Sequence, residues 1–321
     1  MTTLTTNTDL ELQASKDARK DRLFHVILAG TAMLVLFALA AAALSMLWGG
    51  RAVLAQEGWS FFFSTEWNPV EDKYGALIPI YGTLVTAAIA MLIAVPASFG
   101  IAYFLTELAP EWMRGPVGSA IELLAGIPSI IYGMWGLFVL VPMMTEHVTP
   151  WLNDNLGTLP LIGPLFRGPP LGIGMLTAGL VLAIMVIPFI ASIMREVFLT
   201  VPSRLKESAY ALGSTRWEVV RDVVVPYTRT ATVGGIFLGL GRALGETMAV
   251  AFVVGNTVRF SPSLLEPGTT IAALIANDFA EATETYRSAL LLLGFVLFMV
   301  TFVVLAAARL MLTRLARREG T

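Results

Sequence analysis

Six runs of apolar residues, near 26–48, 77–104, 119–143, 171–194, 231–255 and 287–312, restrict this chain more than any other feature. Each is as long as the stretch of about 20 residues that crosses a bilayer as a helix. Lipid offers the backbone no hydrogen-bond partner, so a spanning segment must pair its own N–H and C=O groups, as a helix or within a closed barrel. Barrel strands alternate apolar and polar residues over about ten positions, whereas these runs are continuous. The sequence therefore predicts an all-α integral membrane protein with six transmembrane helices. With 56% hydrophobic and 14% charged residues among 321, a soluble fold could not hide the apolar surface.

The basic residues set the orientation. With a cytoplasmic N-terminus, one side holds fifteen of the 21 Lys and Arg: Lys16, Arg19, Lys20, Arg22, Arg114, Arg195, Arg204, Lys206, Arg216, Arg221, Arg229, Arg309, Arg314, Arg317 and Arg318. The other side holds five, Arg51, Lys73, Arg167, Arg259 and Arg287, and Arg242 lies inside a run. Lys and Arg accumulate on the cytoplasmic side of short loops, so both termini are expected there. Residues 1–24 then form a cytoplasmic tail, 25–316 the transmembrane domain with a cytoplasmic loop at 195–230, and 317–321 a second tail. The first run is too long, and wrongly flanked, for a cleavable signal and reads as a retained span.

Several chemistries are excluded. Without cysteine there is no disulfide or thiolate site. His25 and His147 read as solvated interface residues, and no nucleophile–base pair or metal cluster stands in or near the spans, so an enzyme is not expected. The net charge of −2 says little, since opposite charges are sorted to opposite faces rather than forming a nucleic-acid surface; no nucleic-acid partner is expected, and the spans place the chain in membrane lipid. Two outer segments, 49–76 and 144–170, are respectively rich in aromatics (Trp59, Phe61, Phe62, Phe63, Trp67) and in proline; the second is expected to be an irregular loop. Pro79, Pro96, Pro128 and Pro188 invite bends in the spans. Gly235-x-x-x-Gly239 and Gly241-x-x-x-Gly245 read as helix-packing pairs.

Arg242 and Glu246 sit within the run 231–255. A lone Arg at the centre of a spanning helix costs roughly 2.5–3.5 kcal/mol on insertion scales, so such residues face protein or water and mark substrate pathways. Read as one helix, Gly235, Gly239, Arg242, Glu246 and Ala249 share a buried face, with Phe237, Leu240, Leu244 and Ala251 on another. The competing interpretation is an internal ion pair between residues four apart, although Arg preceding Glu is the weaker order. Glu122 reads as an interface residue near the cytoplasm.

The loop 195–230 reads as two short helices around an elbow. Pro202 and Ser203 start the first, Leu205, Ala209 and Leu212 form an apolar stripe, and Gly213 supplies the left-handed residue that ends it. Thr215 and Glu218 have capping-box spacing, Trp217, Val220 and Val224 share one side of the second helix, and Pro226 is expected to close it. The stripe can pack on the membrane domain or receive a soluble partner. A DNA-reading helix–turn–helix is disfavoured by the flanking spans and by Glu207, Glu218 and Asp222.

Glu207-Ser208-Ala209-Tyr-Ala-Leu-Gly213, nine residues, then Val223-Val-Val-Pro226 resembles the EAA loop of ABC importer permeases of the MetI-like type. The departures are Ser208 for Ala, and Val223 and Val225 for Ile and Leu, with the spacing intact. Tyr74–Thr86, Phe104–Pro110, Glu122–Gly133 and Gly241–Met248 narrow the resemblance to the permeases of bacterial phosphate importers, from about residue 24 to the end. That resemblance implies a MetI-like fold in the bacterial inner membrane, and a coupling loop at Glu207, Ser208, Ala209 and Gly213 that docks on an ATPase. It further implies a second permease (PstA-like), two ATPase subunits (PstB-like) carrying ATP and Mg, and an outer phosphate-binding protein (PstS-like).

The chain has no Walker A loop, since none of its four lysines completes that pattern. Energy is thus expected from ATPase partners, whose closure moves the loop and switches the spans between outward and inward openings. Phosphate would pass Arg242, whose planar fork suits a tetrahedral oxyanion, with Glu246 preventing overly tight binding. A sulfate or molybdate permease shares these features. A gradient-driven secondary transporter or channel would use Arg242 and Glu246 without ATP.

Overall fold

In the computed structural model, which describes residues 7–318, the only β pairing among those residues is an isolated bridge between Asn68 and Lys73. The chain divides after Gly49 into two units. The first contains α1 (Asn7–Gly49), whose apolar Leu34, Leu36 and Phe37 are exposed, as suits a helix covered by lipid. The second contains α2 (Arg51–Glu57), α3 (Leu77–Tyr103), α4 (Glu111–Ala125), α5 (Ser129–Trp135), α6 (Val141–Met143) and α7 (Thr149–Asn155). It continues with α8 (Met175–Leu199), α9 (Ser203–Ala211), α10 (Arg216–Val219), α11 (Val225–Leu244), α12 (Met248–Val254), α13 (Ile271–Asp278) and α14 (Glu284–Arg318). The expected tails at 1–24 and 317–321 lie partly outside the described residues.

Six helical runs are long and apolar enough to cross a membrane: Lys20–Gly49, Leu77–Leu108, Ser129–Asn155, Met175–Leu199, Arg216–Leu244 and Glu284–Met311. The number matches the six apolar runs of the sequence, but two sets of bounds differ. The run at 119–143 is cut at Gly126–Pro128: α4 ends at Ala125, Pro128 takes φ −56° and ψ 134° outside the helical region, and the helix restarts at Ser129. The run at 231–255 is cut at Gly245–Thr247. The segments after the two breaks, α5 and α12, pack on each other, and a Cβ on Gly133 would lie 3.0 Å from the Ala249 Cα and from the Met248 carbonyl oxygen.

Pro96, Pro116 and Pro188 lie inside continuous helices, whereas four other prolines share a device. The π-turns at Phe104–Leu108, Gly136–Leu140, Met144–Val148 and Val220–Val224 each end two residues before a proline, at Pro110, Pro142, Pro150 and Pro226. A proline ring clashes with the carbonyl four residues back. The wider π-turn moves that carbonyl aside. Hence Pro226 does not close the second loop helix as expected; the helix runs on from Arg216 to Leu244. For the same reason the proline-rich outer segment is helical as far as Asn155 before it becomes irregular.

Helix α8 is the axis of the core. Thr83, Ala87, Ala90, Ala94, Ser98 and Ala102 form a buried stripe of small side chains on α3, which lets that helix lie close along α8. The Ser98 hydroxyl donates to the Ile187 carbonyl at 3.0 Å. Buried Val181, Leu182, Met185, Val186, Ile190 and Met194 fill the other side of the contact. Helix α11 crosses α8 through Gly235 and Gly239, where a Cβ would stand 2.7 Å from Ile193 Cγ2 and 2.6 Å from Ile190 Cγ1. This pair packs as its spacing suggests. Gly245 does not: a Cβ there would meet only the Gly241 carbonyl oxygen, at 3.7 Å, and the residue ends α11 instead.

The contrast yields a test. Gly239→Val inserts carbons where Ile190 already stands and costs on the order of 1–3 kcal/mol. Gly241→Ala meets only Leu305 at 3.5 Å; it should be neutral or stabilising, by up to about 1 kcal/mol. Thermal denaturation of the detergent-purified protein distinguishes the two.

Candidate functional site

Arg242 occupies the last turn of α11, where the exposed carbonyls at the helix end favour a cation. Its guanidinium carbon lies 5.3 Å from the centre of the Phe189 ring, on the proline-containing helix α8. Tyr132 of α5 is within Coulombic reach, its hydroxyl donating to the Leu124 carbonyl at 2.9 Å across the α4–α5 break. The Arg242 Nε is buried, and no protein group accepts a hydrogen bond from it. An orphaned buried donor costs about 1–3 kcal/mol.

Glu246 does not stand one turn up the same helix, because α11 has already ended at Leu244. Gly245 turns the chain, and the Glu246 carboxylate accepts a hydrogen bond from the Ala249 backbone N–H at 3.2 Å, capping the start of α12. Among the described residues no ion pair joins Arg242 to Glu246. Gly235, Gly239 and Ala249 are buried, with Arg242 and Glu246 partly so; Leu244, expected on another face, is also buried, in the core cluster with Ala243 at the end of α11.

The cytoplasmic loop keeps the local form its residues suggest. α9 starts at Ser203 after Pro202, Gly213 takes φ +88°, and the Gly213 and Ser214 N–H groups bond to the carbonyls of Tyr210 and Ala209 at 2.9 and 3.2 Å. The Thr215–Glu218 capping box is formed in both directions. Ser208 donates its hydroxyl to the Arg204 carbonyl at 2.8 Å, so a serine there leaves no unmet polar group.

The apolar stripe of α9 does not pack inward. α9 buries none of its residues, Glu207 and Ser208 are exposed, Ala209 is partly covered, and Leu212 is 88% exposed. The anchors lie elsewhere. Val219, Val220 and Val224 are buried, and Trp217 meets Tyr103 and Phe99 of α3 edge-on at 5.7 and 6.5 Å. Lys206 Nζ reaches Glu107 Oε1 at 2.5 Å, and both side chains are largely buried. Burial, and after it the Glu107 carboxylate, pushes the neighbouring Tyr210 phenol above its ordinary pKa. Sequence reasoning missed Glu107 and Lys206, which are 99 residues apart. It also missed Phe189 and Tyr132, for which the interrupted apolar segments were the available signal. Glu122 is joined to Arg195 of α8 at 3.4 Å, and a second carboxylate, Glu196, holds the same guanidinium at 2.7 Å.

Residues 94–318 match the family described as binding-protein-dependent transport system inner membrane component. The phosphate transport system permease protein PstC of Xylella fastidiosa strain 9a5c is 76% identical over 305 residues, 95% of this chain and 94% of that protein. PstC of Pasteurella multocida is 58% identical over 90% of each. A bacterial alginate ABC transporter, solved with an alginate pentasaccharide-bound periplasmic protein, shares the fold. Its TM-score is 0.59 at 18% identity, over 94% of this chain and 97% of that one.

Proposed function

The chain belongs to the family of binding-protein-dependent transport system inner membrane components, and on that premise we propose that it is the membrane-spanning permease subunit of an ATP-driven importer of inorganic phosphate. It is a multi-pass protein of the bacterial inner membrane, and the identity to phosphate permeases over nearly its whole length selects the substrate. Both termini face the cytoplasm, a reading that the distribution of Lys and Arg supports. The partners are a second, PstA-like permease, two PstB-like ATPases that bind ATP with Mg, and a PstS-like outer binding protein. This chain binds no nucleotide.

The observation that carries the substrate pathway is the orphaned Nε of Arg242 beside two helix breaks. Its cost becomes useful if the donor is spent on a passing oxyanion. Phosphate is handed over outside, meets Arg242 through charge-assisted hydrogen bonds, and leaves inside when ATP-driven closure moves the loop around Glu207, Ser208, Ala209 and Gly213. Weak binding is required for release. Unlike the sequence expectation, Glu246 serves first as the cap of α12 and only second as a charge near the path.

The consequence for Glu246 is graded. Glu246→Gln keeps an acceptor for the Ala249 N–H and should cost less than about tenfold in uptake, whereas Glu246→Ala loses the cap and about 0.5–2 kcal/mol. Uptake assays beside thermal denaturation separate the two effects. The substrate itself is tested by ATP-dependent uptake of radiolabelled phosphate in proteoliposomes holding all partners. Excess sulfate or molybdate should leave uptake unchanged; competition by either would move the chain to a sister oxyanion.

A further inference from the structure

The geometry points to the buried Lys206–Glu107 pair as the strut that carries the movement of the coupling helix into the membrane domain, an inference that rests on the importer reading above. None of the apolar residues of α9 is fully buried, so apolar packing does not hold it to the body. Its polar tie to a spanning run is Lys206, whose side chain turns back between exposed Leu205 and Glu207 to reach Glu107. Glu107 lies in the π-turn that ends the long run begun by α3, flanked by buried Leu105 and Thr106. One turn earlier, Tyr103 of the same run holds Trp217 of the loop's second helix.

Both legs of the elbow therefore bear on one end of one helix, and that helix packs along the whole of α8, the axis of the core. A push on α9 from a partner has a direct path to α3 and from there to α8. The charges suit a strut rather than a solvated contact. The side chains are 17% and 7% exposed, too enclosed to exchange partners with water at little cost. The exposed Arg221–Asp222 pair of the same loop lacks that property.

Lys206 and Glu107 are positioning residues, and the readout that isolates them is the ratio of phosphate moved to ATP hydrolysed. The complete complex is reconstituted with the wild-type chain, Lys206→Met, Glu107→Gln, the double apolar variant Lys206→Met/Glu107→Met, and the reversed pair Lys206→Glu/Glu107→Lys. The double variant leaves no unpaired buried charge, so it keeps the fold where a single variant can lose it. It should assemble and hydrolyse ATP, yet its transport ratio should fall by roughly tenfold or more, within the span of ordinary coupling energies. The reversed pair should recover part of the ratio. A double variant with the wild-type ratio overturns the proposal, and so does failure of every variant to assemble, which makes the pair a structural contact. Absence of ATP-dependent phosphate uptake in the wild type would instead refute the importer reading itself.

Discussion

Arg242→Ala is expected to lower phosphate uptake by on the order of a hundredfold, the loss of about two charge-assisted hydrogen bonds, while the chain still inserts and assembles. Assembly survives because the guanidinium holds little together. Its Nε has no protein partner, it forms no ion pair with Glu246, and its contact with Phe189 is a ring face that an alanine leaves intact. Removing an orphaned buried donor leaves no acceptor unpaired, so stability should stay level or rise. Arg242→Lys keeps the charge but not the planar fork and should recover only part of the rate. Loss of the folded chain in Arg242→Ala, seen as absence from the membrane fraction, would make the residue structural.

Glu207→Lys is expected to abolish ATP-driven uptake without altering the permease. Glu207 is exposed on a helix with no fully buried residue, and substitutions at such positions usually change stability by within about 0.5 kcal/mol. The effect must therefore arise at the partner: a reversed charge at the centre of a small docking helix acts on association, as like-charge contacts do. Co-purification of the ATPase subunits with the variant measures this directly. Gly213→Val should act differently, because φ +88° is strained for a β-branched residue; it should distort the elbow even though the space around it is open. Normal ATPase binding and uptake by Glu207→Lys would remove the loop from the coupling path.

What could be read from the residues was local. Gly213 and the Thr215–Glu218 box are a backbone conformation and a three-residue hydrogen-bond exchange, both set by neighbours in sequence, and they form as their spacing implies. The six apolar runs follow from bilayer thickness, and their number stands. The errors lie where hydropathy carries no information about the backbone. An average over 119–143 or 231–255 does not register that Pro128 or Gly245 ends the hydrogen-bond ladder. Arg242 and Glu246 were thus placed on one helix when a break separates them. Pro226 failed in the opposite sense, since a proline that should stop a helix is absorbed by the π-turn before it. Long-range pairing was not legible at all. Lys206 looked like one more basic loop residue until the fold placed Glu107 beside it, and nothing in six similar runs marked α8 as the axis.

Phosphate uptake is measured most directly in proteoliposomes containing the full set of partners, with ATP supplied or withheld and the proton gradient collapsed, for the wild type, Arg242→Ala and Glu207→Lys side by side. ATP-dependent uptake that ignores the gradient, present in the wild type and lost in both assembled variants, is the predicted result. Uptake that persists without ATP and vanishes with the gradient would contradict it, and would make the chain a gradient-driven carrier.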